Sequence, residues 1–189
     1  MEHFYDKIQG WFSYGELYSI LVQQCSHEEE YTFVEVGSWK GCSTSFMGVE
    51  IINSKKNISF YAVDTWRGSE EHIDVNNPSY EPLLKDEDGL YLEFLKNTSP
   101  VSDVICPLRM RSDSASKLFP DESIDFVMID GAHDYESVKL DIQSWFPKLK
   151  KGRVMAGDDL DWPGTTRALQ EMFPNGFKSF DNKIWQVIK

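Results

Sequence analysis

The chain has 189 residues, 41 % of them hydrophobic and 26 % charged, which is ordinary for a soluble globular protein and sufficient for one α/β domain. Its formal net charge of −12 disfavours a nucleic-acid partner, because an acidic surface repels phosphates. No apolar run approaches the roughly 20 residues of a membrane span, residues 1–10 do not resemble a secretory signal, and the three cysteines form no Cys-x-x-Cys pair. We therefore expect a cytoplasmic protein that is not bound to a membrane.

The first predicted elements are a helix, a strand and a second helix. Helical periodicity runs over residues 13–25, with Ser13 as the expected N-cap and Glu16 three residues later. A buried strand over 31–37 leads into a turn with glycines at positions 37 and 41 and then into a helix over 42–52. Such a turn holds a nucleotide-like ligand in doubly wound α/β domains, although the spacing is not G-x-G-x-x-G.

The remainder of the chain alternates strands with helices. The predicted strands cover 58–64, part of 101–108, 124–130, 153–157, 177–180 and 184–188, and the predicted helices cover 90–96, 112–119, 135–146 and 165–173. The last two strands are joined by a hairpin-like turn. This order predicts an α/β fold with a doubly wound sheet and a closing hairpin.

Two segments lie outside this alternation. Residues 67–89 are rich in Gly, Asn, Pro and acids, and loops of this length in compact domains are usually functional. We expect them to lie over the ligand edge as a substrate lid. Residues 1–30 form an N-terminal helical segment whose aromatic residues can pack on this domain or on a second copy of the chain, so a homo-oligomer stays open.

Carboxylates end or follow four of the predicted strands, namely Glu35, Asp64, Asp130 and the pair Asp158 and Asp159. Because the carboxyl ends of parallel strands meet at one edge, we expect these side chains to converge. Asp64 is placed to accept hydrogen bonds from ribose hydroxyls, or else it caps a turn. Asp130, Asp158 and Asp159 offer the hard oxygen ligands that Mg²⁺ prefers, unless the adjacent pair caps the next helix.

Two further groups of polar residues follow strands. His133 comes three residues after Asp130 and can exchange protons with a ligand near neutral pH, the alternative being an exposed or capping histidine. Ser112, Asp113 and Ser114 follow the third strand. Their side chains suit the exocyclic amine of adenine, and equally the N-cap of a short helix.

Several of these segments together resemble a known family. Glu35-Val-Gly-Ser-Trp-Lys-Gly-Cys-Ser43 is similar to motif I of class I S-adenosylmethionine-dependent methyltransferases, in the form typical of a bacterial small-molecule O-methyltransferase branch. That branch, of methyltransferase family 24 type, includes macrocin-type and cephalosporin-hydroxylase-like proteins. Residues 64–68 resemble its segment after strand two, and 129–139 resemble its Asp-Gly-x-His-x-Tyr-Glu-x-Val-Lys signature. With residues 157–159, the resemblance covers about 31 to 170.

The resemblance implies one Rossmann-like domain over 1–189, with a seven-stranded sheet, an antiparallel last strand and helices on both faces. It implies S-adenosyl-L-methionine as the cofactor, with contacts from Glu35, Gly37, Ser38, Gly41, Ser43, Asp64, Thr65, Trp66, Asp113, Ser114 and Asp130. In metal-dependent members the strand-four acid and an adjacent acid pair bind the metal, and Asp130, Asp158 and Asp159 match those positions. The general base of the catechol-type group is a lysine three residues beyond the strand-four acid, where this chain has His133.

These residues favour an O-methyltransferase that acts on a hydroxyl of a small sugar or phenolic acceptor, with Asp130 and His133 as catalytic residues and Mg²⁺ as an optional metal. One alternative is a hydroxylase-like or accessory protein that keeps the cofactor-binding fold without methyl transfer. Another is a nicotinamide-dependent oxidoreductase, against which the missing G-x-G-x-x-G argues. The identity of the acceptor is not encoded in any recognisable motif.

Overall fold

A seven-stranded sheet forms the centre of the computed structural model, which describes residues 1–189 except for the side chain of Glu70. The strand order is β3-β2-β1-β4-β5-β7-β6. The strands are β1 (Glu30–Val36), β2 (Asn57–Asp64), β3 (Ile105–Arg109), β4 (Ile124–Ile129), β5 (Leu149–Gly157), β6 (Lys178–Phe180) and β7 (Ile184–Ile188). Strands β1 to β5 are parallel, and β7 is antiparallel to both β5 and β6. The expected sheet with an antiparallel last strand is confirmed.

Helices cover both faces of the sheet, as the sequence predicts. They are α1 (Gly15–Gln24), α2 (Cys42–Ser54), α3 (Glu70–Ile73), α4 (Gly89–Thr98), α5 (Ser112–Ala115), α6 (Tyr135–Trp145) and α7 (Pro163–Met172). Helices α1, α2 and α4 contribute to one hydrophobic core, and α5, α6 and α7 to the other. In the part of the chain that the structure describes, no helix combines the length and the apolar character needed to cross a membrane.

The central strands separate the two cores. In β1, Phe33 packs into the first core and Val34 into the second, and in β4, Phe126 and Val127 divide in the same way. Successive side chains of a strand point to opposite faces, so a strand covered on both faces is apolar at nearly every position. All six residues of β4 are buried, which explains why this strand is readable from the sequence.

Some element boundaries differ from the prediction. Helix α1 begins at Gly15 with Tyr14 at its N-cap and no side-chain capping bond, so the prediction that Ser13 caps it is wrong. The predicted helix over 112–119 consists of α5 followed by a 3-10 turn over Ser116–Leu118. Strand β5 begins four residues earlier than predicted, at Leu149.

Residues 67–89, here called the lid segment, contain α3 and a 3-10 helix over Pro82–Lys85. Ion pairs tie this segment to the domain and to itself. They join Lys40 to Glu81 at 2.5 Å, Arg67 to Glu87 at 2.6 Å and Arg109 to Asp88 at 2.5 Å. In the Lys40 pair Glu81 is buried and Lys40 is partly buried, so this pair anchors the lid segment beside the turn that follows β1.

Candidate active site at the carboxyl edge of the sheet

The turn over residues 37–41 passes directly over the end of β4. Gly37 has a φ of 93°, and a Cβ placed on it would lie 1.9 Å from the carbonyl oxygen of Asp130. No side chain fits in that space, and the left-handed backbone adds to the requirement for glycine. Gly41, with a φ of 87°, stands at the N-cap of α2. Gly37 thereby brings the turn against the strand-four acid, whereas Gly41 lets it pack on Thr98 and Phe94 of α4.

Asp64 fixes the shape of this turn. Its Oδ2 accepts a hydrogen bond from the backbone N–H of Trp39 at 2.9 Å, and its Oδ1 accepts one from the backbone N–H of Trp66 at 2.8 Å. Burial raises the pKa of the Asp64 carboxyl, and these backbone donors oppose the increase. The residue as a whole is half-buried at the edge of the sheet, and the backbone N–H groups of Thr65 and Ser38 also face its carboxyl.

Ser38 carries an orphaned polar atom in the same turn. The residue is 2 % exposed, and its hydroxyl makes no hydrogen bond of ordinary geometry among the described residues, although it lies close enough to Glu35 to oppose the rise in that carboxyl's pKa. Buried polar groups are nearly always hydrogen-bonded, so an unpartnered one at a sheet edge indicates a missing ligand or water. The turn therefore offers at least one hydroxyl to a polar ligand at this edge.

Glu35 lies beneath the turn and is fully buried. Its carboxylate accepts hydrogen bonds from the hydroxyl of Tyr18 at 2.7 Å and from the hydroxyl of Thr44. Burial raises the pKa of Glu35, and hydroxyls including those of Thr44 and Ser43 oppose the increase. The side chain thus links α1, β1 and α2, and the sequence alone did not indicate its partner Tyr18.

The two residues after Asp64 have different surroundings. Thr65 is half-buried at the edge, whereas the ring of Trp66 has no exposed surface and packs against Tyr91 and Phe94. The indole N–H of Trp66 donates a hydrogen bond to the carbonyl of Trp39 at 2.7 Å. Its ring therefore supports the turn from within the core.

The residues predicted for adenine lie around the start of α5. Asp113 accepts a hydrogen bond from Arg111 Nε at 2.9 Å, and Ser114 is exposed. The N-cap of α5 is Arg111, without a side-chain capping bond, so neither Ser112 nor Asp113 caps this helix. The Ser112 hydroxyl instead accepts a hydrogen bond from the indole of Trp145 at 2.7 Å.

Asp141 is a buried acid in this region that the sequence analysis did not single out. Burial raises its pKa to about 6, while the hydroxyl of Ser112 opposes the increase. A Cβ placed on Gly131 would lie 3.9 Å from Asp141 Oδ2, so this carboxyl reaches the backbone that follows β4. Its position within the helical pattern of α6 made it look like an ordinary surface acid.

Asp130 directly follows β4 and contacts the N-terminal segment. Its Oδ2 accepts a hydrogen bond from the hydroxyl of Tyr14 at 2.5 Å. Burial raises the pKa of Asp130 well above its usual range; Asp158 and Asp159 raise it further, and the Tyr14 hydrogen bond opposes them. The predicted convergence of the strand-four and strand-five acids is thus present in the structure.

His133 and Asp159 form a pair beside these acids. His133 Nδ1 lies 2.7 Å from Asp159 Oδ2, and the imidazole packs on the ring of Trp162 with centroids 4.7 Å apart. The hydrogen bond to Asp159 raises the pKa of His133, and burial opposes it. His133 Nε2 faces Glu71 Oε1 of the lid segment at 4.0 Å.

The adjacent acids do not cap α7, whose N-cap is Trp162 without a side-chain bond. Nor do they form the expected metal site as the side chains stand. Asp130 is bonded to Tyr14, Asp158 accepts the backbone N–H of Asp159 at 2.8 Å, and Asp159 is paired with His133. Among the described residues, no group of three or more His, Cys, Asp or Glu has an arrangement that could hold a metal ion.

Comparison with known proteins identifies the class to which this fold and edge belong. Residues 34–160 match the model of a family described as a methyltransferase domain. That match covers most of the sheet, the turn, Asp64, Asp130, His133 and both acids after β5. The chain belongs to this methyltransferase-domain family.

Solved structures share the fold at low sequence identity. The O-methyltransferase NovP aligns with a TM-score of 0.70 and 16 % identity, over 93 % of this chain and 78 % of NovP. A putative caffeoyl-CoA O-methyltransferase from Staphylococcus aureus aligns with a TM-score of 0.64 and 12 % identity, over 97 % of this chain and 87 % of that enzyme. CalS11, a TDP-rhamnose 3′-O-methyltransferase of calicheamicin biosynthesis, aligns with a TM-score of 0.58 and 15 % identity, over 92 % of this chain and 76 % of CalS11.

A curated relative is much longer than this chain. The uncharacterized protein y4gI of Sinorhizobium fredii (strain NBRC 101917 / NGR234) is 26 % identical over 159 residues. The aligned part is 84 % of this chain and 16 % of y4gI, so the chain spans about one sixth of that relative's length.

Proposed function

We propose that this protein transfers a methyl group from S-adenosyl-L-methionine to a hydroxyl of a small sugar or phenolic acceptor. The observation that carries the proposal is the His133–Asp159 pair, which stands at the ligand edge of a methyltransferase domain next to the turn over 37–41. Because Nδ1 of His133 is engaged by Asp159, Nε2 is the ring atom left to meet an acceptor.

S-Adenosyl-L-methionine fits the residues at this edge. We assign its methionine part to Gly37, Ser38, Gly41, Ser43 and Asp130, its ribose to Asp64 and Thr65, and its adenine to Asp113 and Ser114. Glu35 and Trp66, which the sequence also indicates as contacts, are fully buried and support the turn from beneath. The Ser38 hydroxyl, which makes no hydrogen bond of ordinary geometry in the described part of the chain, and the half-buried Asp64 at the edge of the sheet support this assignment. When bound, the cofactor supplies a methyl group on a positively charged sulfur, which is open to attack by an oxygen nucleophile.

The protein's own task is to prepare that oxygen. His133 removes the proton of the acceptor hydroxyl at Nε2, and Asp159 holds the imidazole in the required tautomer and stabilises its charged form. Asp130, which is fixed by Tyr14, closes the floor of the site and orients the acceptor. Holding the oxygen in line with the methyl group supplies much of the rate.

No catalytic step is assigned to Mg²⁺, because Asp130, Asp158 and Asp159 are each engaged by another partner. If the His133–Asp159 pair acts alone, turnover persists after treatment with EDTA. Loss of turnover on chelation, with recovery on adding Mg²⁺, would instead support the ligand set that the sequence indicates.

We propose that the lid segment covers the acceptor as one part of a single domain over 1–189. Glu71 of this segment lies 4.0 Å from His133 Nε2, and this distance supports a lid beside the acceptor. We further propose a cytoplasmic location, which the free thiols of Cys25, Cys42 and Cys106 support.

The experiment that tests the proposal detects S-adenosylhomocysteine after incubation of the protein with S-adenosyl-L-methionine and a panel of hydroxylated sugars and phenols. Product is expected with at least one acceptor, and a matched His133→Gln protein is expected to form much less of it. Binding of the cofactor without product from any acceptor would support the accessory-protein alternative.

A further inference from the structure

Two tyrosines of the N-terminal segment reach the carboxyl edge of the sheet. Tyr14 and Tyr18 lie one helical turn apart at the start of α1, are 2 % and 0 % exposed, and have ring centroids 5.1 Å apart. The hydroxyl of Tyr14 donates a hydrogen bond to Asp130 Oδ2 at 2.5 Å, and that of Tyr18 donates one to Glu35 Oε2 at 2.7 Å. One short stretch of the chain therefore holds an acid of β1 and the acid that follows β4.

These two acids adjoin the turn over 37–41. Glu35 belongs to β1, which lies next to β4 in the sheet, and the backbone N–H of Asp130 donates to the carbonyl of Val36 at 2.8 Å. Gly37 packs on the carbonyl of Asp130, and Glu35 is close enough to Asp130 to raise the pKa of its carboxyl. A shift of either tyrosine would therefore reach the turn through the acid that it holds.

The packing around these tyrosines does not require their hydroxyl groups. The rings contact Phe12 and Phe126 in an apolar core, which a phenylalanine would fill equally well. Tyr14 stands at the N-cap of α1, where serine, threonine, aspartate and asparagine are preferred, but its side chain bonds Asp130 and does not cap the helix. A buried hydroxyl costs free energy unless it is hydrogen-bonded, and both of these hydroxyls find their partner at the ligand edge.

The charge at the two acids suits a cation. Besides burial, the groups that act most strongly on their pKa values are hydroxyls and other acids, with Asp158 and Asp159 acting on Asp130. Glu35 is fully buried, whereas Asp130 is half-buried at the edge, so a ligand can reach Asp130. The amino-acid end of S-adenosyl-L-methionine carries an ammonium group, which complements such a carboxylate in charge and in hydrogen bonding.

We infer that Tyr14 and Tyr18 are positioning residues for the amino-acid end of the cofactor. Tyr14 orients the Asp130 carboxylate towards the ammonium group, and Tyr18 holds Glu35 beneath the turn, so the N-terminal segment is a functional part of the cofactor site. Both tyrosines act through their acids and not on the reacting atoms. The inference rests on the proposed use of S-adenosyl-L-methionine, whose methionine part is assigned to Asp130 and the turn.

Two ligands that differ at the amino-acid end test this inference. S-adenosylhomocysteine contains that end, whereas 5′-methylthioadenosine has the adenine, the ribose and the sulfur but lacks it. Each is titrated into the unaltered protein, Tyr14→Phe and Tyr18→Phe by calorimetry, with ligand-observed NMR where binding is weak. We expect each variant to bind S-adenosylhomocysteine at least about tenfold more weakly, and 5′-methylthioadenosine within about threefold of the unaltered protein.

Tyr31→Phe is the matched control. Tyr31 is 5 % exposed and donates its hydroxyl to Glu29 Oε2 at 2.8 Å, at the amino end of β1 and therefore at the opposite edge of the sheet. Its replacement removes the same kind of hydrogen bond and should leave the affinities for both ligands unchanged. Thermal unfolding shows whether each variant is folded, and a variant that melts below the assay temperature is assayed at a lower one beside the unaltered protein.

Equal weakening of the two ligands in a variant, or unchanged affinity for S-adenosylhomocysteine, would overturn the role of that tyrosine, because a purely structural residue has no reason to act on one end of the cofactor. The same split in Tyr31→Phe would overturn the inference as a whole. Failure of the unaltered protein to bind S-adenosylhomocysteine would contradict the proposed function, whereas binding without a split in the variants would contradict this inference alone.

Discussion

At the scale of single residues, the His133–Asp159 pair carries the proposed chemistry. Replacing His133 with Gln removes the base and keeps a polar side chain of similar length. We expect kcat to fall by about 10²–10⁴-fold with little change in the affinity for S-adenosyl-L-methionine. Initial rates of S-adenosylhomocysteine formation measure the effect, and His27→Gln, at an exposed position before β1, is the control. A loss of less than about threefold would remove His133 from the role of base.

Asp141 is the residue whose burial has a consequence for stability. Its pKa is about 6 in the folded protein, against an ordinary value of 3.8, so the fold favours the protonated carboxyl. The stability that protonation provides is present at low pH and is lost as the pH rises towards 6. Above that, the buried charge costs up to about 3 kcal/mol of the free energy of unfolding.

Asp141→Asn removes this cost and should stabilise the protein at pH 8 by about 1–3 kcal/mol, with a much smaller gain at pH 4.5. Urea unfolding at both pH values measures the difference. Asp103→Asn, at an exposed position, removes the same charge and should change the stability little at either pH. A gain of equal size at both pH values would show that desolvation of the charge is not its cause.

At the scale of elements, the turn over 37–41 is the most constrained feature. Gly37→Ala places a methyl group against the carbonyl of Asp130, whereas Gly152→Ala meets nothing within 4 Å although Gly152 has a φ of 76°. The Gly152 variant therefore reports the cost of the left-handed backbone alone, about 1 kcal/mol. We expect Gly37→Ala to cost at least about 2 kcal/mol more and to weaken cofactor binding at least tenfold.

Thermal or urea unfolding of the two glycine variants, followed by titration with S-adenosyl-L-methionine, gives both quantities. Similar losses of stability in the two proteins would mean that the turn moves away from β4 without penalty. In that case the close approach at Gly37 would not define the cofactor site.

The strands and the ligand edge could be predicted because their signals are local. Strand β4 is almost entirely apolar because both of its faces are covered. The glycines at 37 and 41 indicate the left-handed backbone of the turn. The roles of Tyr14 and Tyr18 could not be predicted. Tyr14 bonds Asp130, 116 positions away, and nothing near either residue in the chain indicates that contact.

The side-chain partners of the acids also could not be predicted from the sequence. Acids at strand ends indicate a metal site as readily as a hydrogen-bonded base, because the order of elements brings them together without fixing what each oxygen contacts. The structure pairs Asp159 with His133 and Asp130 with Tyr14. These two hydrogen-bonded pairs depend on side-chain conformations and on the packing of α1, and no sequence motif indicates either of them.

At the scale of the whole molecule, the central question is which ligand the turn over 37–41 binds. The family match, the sheet topology and the residues at its carboxyl edge all bear on it. Titration calorimetry with S-adenosyl-L-methionine and, in parallel, with NAD answers it most directly. We predict saturable binding of S-adenosyl-L-methionine at one site per chain, no binding of NAD, and at least tenfold weaker binding to Asp64→Ala, which loses the carboxyl that shapes the turn. Binding of NAD, or a folded protein that takes up no S-adenosyl-L-methionine, would contradict the account.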